Sequence, residues 1–152
     1  MKIEARLNEL GITLPNAPAP VAAYTPCRRT GNLVYVSGQG PIINGKQMFT
    51  GKVGGSVSAE EAYQAARYCG YNLLAQLKNF LGDLDRITQV VHVKGFVACE
   101  PNFTAQPQVV NGVSDLMVQV FGDKGCHTRC ALGTNVLPTD IPVEVEIIVE
   151  VE

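Results

Sequence analysis

Between Val143 and Glu152 the chain alternates apolar and acidic residues (VEVEIIVEVE), the period-two signature of a strand with one buried face. Val143, Val145, Ile147, Val149 and Val151 share one face. Glu144, Glu146, Glu150 and Glu152 lie on the other, where Ile148 interrupts the row. Thr128 to Val136 and the valine-rich Ile87 to Ala98 predict two more strands. About Ala22 to Cys27, Leu33 to Ser37 and Lys46 to Lys52 predict three earlier ones, with turns at Arg29-Thr30-Gly31-Asn32 and Ile43-Asn44-Gly45.

Helical spacing occupies the stretches between. Ser58-Ala59-Glu60-Glu61 is a capping box. It opens a helix whose apolar face runs Ala62, Ala66, Cys69, Leu73, Leu77 and Phe80, ended by Gly82. Pro107 opens a second, with Val110, Val113, Leu116, Met117, Val120 and Phe121. A short helix is expected from about Lys2 to Leu10, with Ile3, Leu7 and Leu10 on one face and Gly11 at its end; Asn16 to Pro20 reads as extended connector. The order strands, helix, strand, helix, strands predicts an α+β fold, with two helices packed on one face of a mixed sheet. The opposite face is too polar for a buried core and too apolar for open water, so association through it is expected.

The 152 residues suit one domain, 1–152, with residues 1–20 as an N-terminal extension. At 46% apolar and 17% charged the chain is globular, and a net charge of −2 gives no field to attract nucleic acid. The N-terminus has no apolar core of a signal peptide, and no stretch is long enough to span a membrane. A cytoplasmic location is expected, with all five cysteines reduced.

Arg129 stands out, because its strand neighbours are mostly apolar or small. A guanidinium binds a carboxylate through two parallel charge-assisted bonds. It serves equally well in an ion pair with an interface glutamate, Glu144 included. If paired strands bring Arg129 and Glu144 together, they could bind a small acid and orient a water; periodicity does not separate Glu144 from Glu146 for that role. Ser37 ends an apolar strand beside Gly38, where backbone and ligand can approach closely. Cys126, His127 and Cys130 suggest a metal, but a fourth ligand and a second close pair are missing, so none is expected. His92 reads as a satisfied sheet histidine. Gly38-Gln39-Gly40 precedes a proline and a turn, not a helix, so it is no dinucleotide fingerprint, and neither a P-loop nor a nucleophile elbow is present.

VYVSGQGP (Val34 to Pro41) and the run from Arg129 through Leu137-Pro138 to VEVE resemble the signatures of the reactive-intermediate deaminase family, RidA/YjgF or L-PSP. The spacings from Arg129 to Pro138, Pro138 to Glu144 and Tyr24 to Ser37 agree with it too. The resemblance implies a chorismate-mutase-like fold and homotrimers with clefts between subunits. It implies a site of Tyr24, Ser37, Gly38, Asn111, Arg129 and Glu144, with a backbone carbonyl near Ala131. It further implies cofactor-free hydrolysis of enamines and imines such as 2-aminoacrylate to 2-keto acids and ammonia. Three departures stand beside it: Ala131 where many members have cysteine, about three extra residues around Thr104 to Pro107, and the N-terminal extension. A non-catalytic small-carboxylate sensor would use the same arginine. An endoribonuclease is disfavoured, since the chain is acidic and has no basic strand face with stacking aromatics.

Overall fold

The alternating C-terminal segment forms a strand inside the sheet. A computed structural model describes residues 2–152. Its elements are α1 (Lys2–Glu9), β1 (Cys27–Thr30), β2 (Leu33–Gln39), β3 (Ile42–Ile43), β4 (Lys46–Gln47), α2 (Ala59–Leu81), β5 (Ile87–Ala98), α3 (Gln106–Phe121), β6 (Thr128–Thr134) and β7 (Val143–Val151). The main sheet runs β1-β2-β7-β5-β6, while β3 and β4 form a separate small ribbon. β5 and β6 are parallel, joined across α3, and every other pairing is antiparallel. The fold is therefore the expected α+β layer with a mixed sheet.

Val143, Val145, Ile147, Val149 and Val151 are buried, and Glu144, Glu146 and Glu150 are half-buried on the other face. Above the buried row pack Ala62, Ala66, Cys69, Leu73 and Leu77 of α2 with Val110, Val113, Leu116 and Met117 of α3 in one core. The Ser58 hydroxyl accepts from the Glu61 amide and the Glu61 carboxylate accepts from the Ser58 amide, which fixes the start of α2. The two helices touch at Gly112, where a Cβ would run into the Tyr63 carbonyl.

Several expected boundaries move. Residues 21–24 are bends, and the first strand is Cys27–Thr30, half of which the sequence places in a turn. Pro26 has no N–H to give a ladder, whereas Arg28 and Arg29 suit a charged edge strand. The hairpin turn shrinks to Gly31-Asn32, with Gly31 at φ +56°. The strand expected from Lys46 to Lys52 pairs only at Lys46–Gln47, and Gly51, at φ +114°, lies in the irregular segment that follows. β6 stops at Thr134, short of Val136. Phe80 is 45% exposed, and Leu74 and Leu81 take the buried places, because the stripe advances from Leu77 by four residues.

Cross-strand register fixes the two faces. His92, Lys94 and Phe96 of β5 align with Thr128, Cys130 and Leu132 of β6 and with Ile148, Glu146 and Glu144 of β7. This face, away from the helices, also carries Tyr35, 47% exposed, and Leu132, 48% exposed.

Candidate active site

The residues singled out from sequence fall into two groups. On β6, Arg129 is in register with buried Val93, so it projects on the helix side of the sheet. There its Nη1 donates to Asn111 Oδ1 at 2.7 Å and to Ser114 Oγ at 3.2 Å, and its Nη2 donates to the Pro107 carbonyl at 3.3 Å. Asn111 and Ser114 lie one turn apart on α3, the i, i+3 spacing that presents two side chains to one strand. Ala131, next on the same face of β6, is half-buried against the core.

The sequence does not single out Ser114, and it offers His127 only as a candidate metal ligand. His127 Nδ1 lies 2.6 Å from the Gly125 carbonyl, which can only accept, so that nitrogen carries the hydrogen. Nε2, 2.9 Å from Ser114 Oγ, then accepts from the hydroxyl, whose oxygen in turn accepts from Arg129. Burial lowers the pKa of His127, the Arg129 and His92 charges add to this, and the bond to Gly125 opposes it. A neutral imidazole thus orients the serine that holds the guanidinium. The Ser114–Asn111 spacing was visible in the sequence, but it signifies nothing until Arg129 is known to face α3.

The second group lies at the start of β7. Glu144 is half-buried, and Gly38 packs against it so closely that a Cβ there would sit 2.9 Å from Glu144 Oε2. Ser37 and Gly38 occupy a bulge where β2 slips against β7. Burial raises the pKa of Glu144, and the neighbouring Glu146 raises it further. The two glutamates, equivalent in sequence, differ here. Glu146 pairs with Lys94 at 3.6 Å, while Glu144 has no ion-pair or hydrogen-bond partner among the described residues. Tyr24 and Gly38 line a cavity of about 200 Å³ with Glu144. The Ser37 hydroxyl instead donates to the Thr25 carbonyl at 3.0 Å, and Ser37 borders an adjacent cavity with Arg28, Lys94 and Glu146.

The structure therefore corrects one expectation. Paired strands do not bring Arg129 and Glu144 together within a chain: β5 lies between β6 and β7, and the two side chains leave the sheet on opposite faces. Nor does Arg129 pair with any carboxylate among the described residues; all three of its partners are neutral. Cys126 lies before β6 begins, Cys130 sits within it, and both are exposed. His92 Nδ1 bonds Thr128 Oγ1 at 2.8 Å on the open face. No described group of three or more His, Cys, Asp or Glu could hold a metal ion.

A mixed sheet under two helices, with an arginine on its last crossover strand and a glutamate on its closing strand, defines a class also recognised by sequence. The family model described as "YjgF/chorismate_mutase-like, putative endoribonuclease" matches residues 4–151, and the chain belongs to this RidA/YjgF family. It is 42% identical over 150 residues to Protein TCP17 of Trypanosoma cruzi, covering 98% of this chain and 94% of that one. It is 30% identical over 142 residues to a 2-iminobutanoate/2-iminopropanoate deaminase of Dermatophagoides farinae, covering 93% and 95%. Among solved structures, Atu1372 of Agrobacterium tumefaciens, of unknown function, superposes with a TM-score of 0.93 at 47% identity, covering 99% of this chain and 93% of that one.

Proposed function

We propose that the protein is a deaminase of small 2-imino and 2-enamino acids, acting in the cytosol as a homotrimer whose clefts lie between subunits. The observation that carries this reading is the state of Arg129. Its guanidinium is held in place by an amide oxygen, a hydroxyl and a carbonyl, so its charge is fixed in direction but not neutralised. Such a group is suited to a substrate carboxylate, with charge-assisted bonds worth about 1.5–3 kcal/mol each when desolvated. Tyr35, Phe96, Leu132 and Ile148 on the open sheet face would bury against neighbouring copies, and each cleft would join the Arg129 half of one chain to the Glu144 half of the next.

In this reading Arg129 anchors the carboxylate, and Asn111 helps orient the nitrogen end. An enamine first tautomerises to the imine. Glu144, or a carbonyl near Ala131, holds the water by accepting a hydrogen bond from it, and Glu144 takes its proton as the water oxygen adds to the imine carbon. That proton passes to nitrogen to give the carbinolamine, whose hydroxyl proton then moves to nitrogen as the C–N bond breaks and the C=O forms, so ammonia leaves behind a 2-keto acid. Imines hydrolyse in water unaided, so positioning plus general acid–base help of about 10²–10⁴-fold suffices.

Ammonia release from 2-aminoacrylate generated in situ, compared between wild type and Arg129→Ala, tests the reading. Acceleration that disappears in the variant supports it. Saturable keto-acid binding without turnover would make the protein a carboxylate sensor instead.

A further inference from the structure

The cavity beside Glu144 differs from the rest of the candidate site in what lines it. Pro18, Pro20 and Val21 arrive from the extended segment before β1, Ile42 from β3, and Ile141 from the loop before β7. The two buried amides at its edge are committed to the protein itself. Gln76 Nε2 donates to the Pro18 carbonyl at 2.6 Å and to Gln39 Oε1 at 3.4 Å, and Gln39 Nε2 donates to the Ser37 carbonyl at 3.1 Å. Gln76, on the buried side of α2, thereby ties the N-terminal segment down as one wall. Among the described residues no lysine, arginine or histidine lines the cavity, and the one charged lining residue is Glu144.

A group entering this space meets hydrocarbon on most sides and a carboxylate at one end, so it must be apolar or cationic only at the end that faces Glu144. In an imino acid the side chain is attached to the carbon that water attacks, next to the position assigned to Glu144. We propose that this cavity is a side-chain subsite, with residues 18–21 as its specificity-determining wall. The preferred substrates are then 2-imino acids with aliphatic side chains longer than the single methyl of 2-iminopropanoate. This inference rests on the imino-acid reading of the site. The volume of about 200 Å³ holds roughly six water-sized groups, enough for a side chain of about three or four carbons beside the reacting atoms. Each methylene moved from water into such a lining improves kcat/KM about fourfold.

The test generates 2-imino acids in situ from alanine, 2-aminobutanoate, norvaline and norleucine with an amino-acid oxidase, and measures kcat/KM for each. Wild type is compared with two variants that narrow the cavity. Ala19→Phe adds bulk on an exposed lining position, and Gly40→Ala adds a Cβ to another lining position, 2.9 Å from Cδ1 of the lining residue Ile141. The expected result is a rise with chain length in wild type and a norleucine-to-alanine ratio at least tenfold lower in both variants. Turnover of all four with a flat or falling series, or an unchanged ratio in the variants, overturns the subsite and leaves the deaminase reading standing. If none is turned over, the deaminase reading fails. The subsite is then judged by calorimetry with the 2-oxo acids from pyruvate to 2-oxohexanoate: affinity rising with length supports it, and no dependence on length removes it.

Discussion

Arg129 is in register with Val93 and Glu144 with Phe96, so the two charges leave the same sheet on opposite faces. A site that uses both must draw them from different chains. Arg129→Ala and Glu144→Gln should each lower kcat/KM about a hundredfold or more. If the protein is the proposed trimer, assemblies re-formed from equal amounts of the two variants should recover activity, since about a quarter of the clefts would combine an intact arginine with an intact glutamate. A mixture no more active than its parents would exclude a shared cleft.

Two glycines should respond in opposite ways to the same substitution. At Gly38 an added Cβ meets the end of the Glu144 side chain, which can swing away. Gly38→Ala should therefore shift the melting temperature little and cut activity about tenfold. At Gly112 the Cβ meets the Tyr63 backbone, which cannot yield. Gly112→Ala should destabilise by about 1–3 kcal/mol, read as a lower urea midpoint. Equal losses of stability in the two variants would contradict this assignment.

The acid limb of the pH–rate profile should report Glu144. Burial first, and Glu146 second, raise its pKa, so a reaction needing the carboxylate should begin to fail above the ordinary glutamate value of about 4.3 as pH falls. Glu146→Gln removes the like charge and should move the limb to lower pH. A limb that stays in place or moves upward would take Glu144 out of the base role.

His127 should couple pH to stability. Burial, helped by the Arg129 and His92 charges, lowers its folded pKa, so the unfolded chain binds the proton more tightly. The contribution is complete above the ordinary histidine value of about 6.5 and is lost as pH falls from there through the folded pKa. His127→Gln should narrow the difference between urea midpoints at pH 7.5 and pH 5.5. An unchanged difference would assign the linkage to another group.

Periodicity made the long elements legible. β5 and β7 match their sequence limits, and α2 begins at its capping box, because a buried face and a cap are local signals. The edge at Cys27–Thr30 carries no strand signal of its own, because its ladder partner, Leu33 to Val36 across the turn, is what makes two arginines strand residues. Arg129 and Glu144 were both picked out, yet their separation depends on β7 entering between β2 and β5, a long-range choice that no residue spacing encodes. The positioning role of His127 is hidden in the sequence for a similar reason: its partners come from the preceding turn and from α3.

The helix layer and the N-terminal segment are held in contrasting ways. Where α2 meets α3, backbone rests against backbone at Gly112, and almost any change there disturbs the core. The wall formed by residues 18–21 is tied chiefly through one glutamine on one carbonyl, with its side chains largely in solvent. Lineages carrying this scaffold can therefore vary that wall with little effect on folding, and drift in substrate choice should accumulate there while the helix crossing stays fixed.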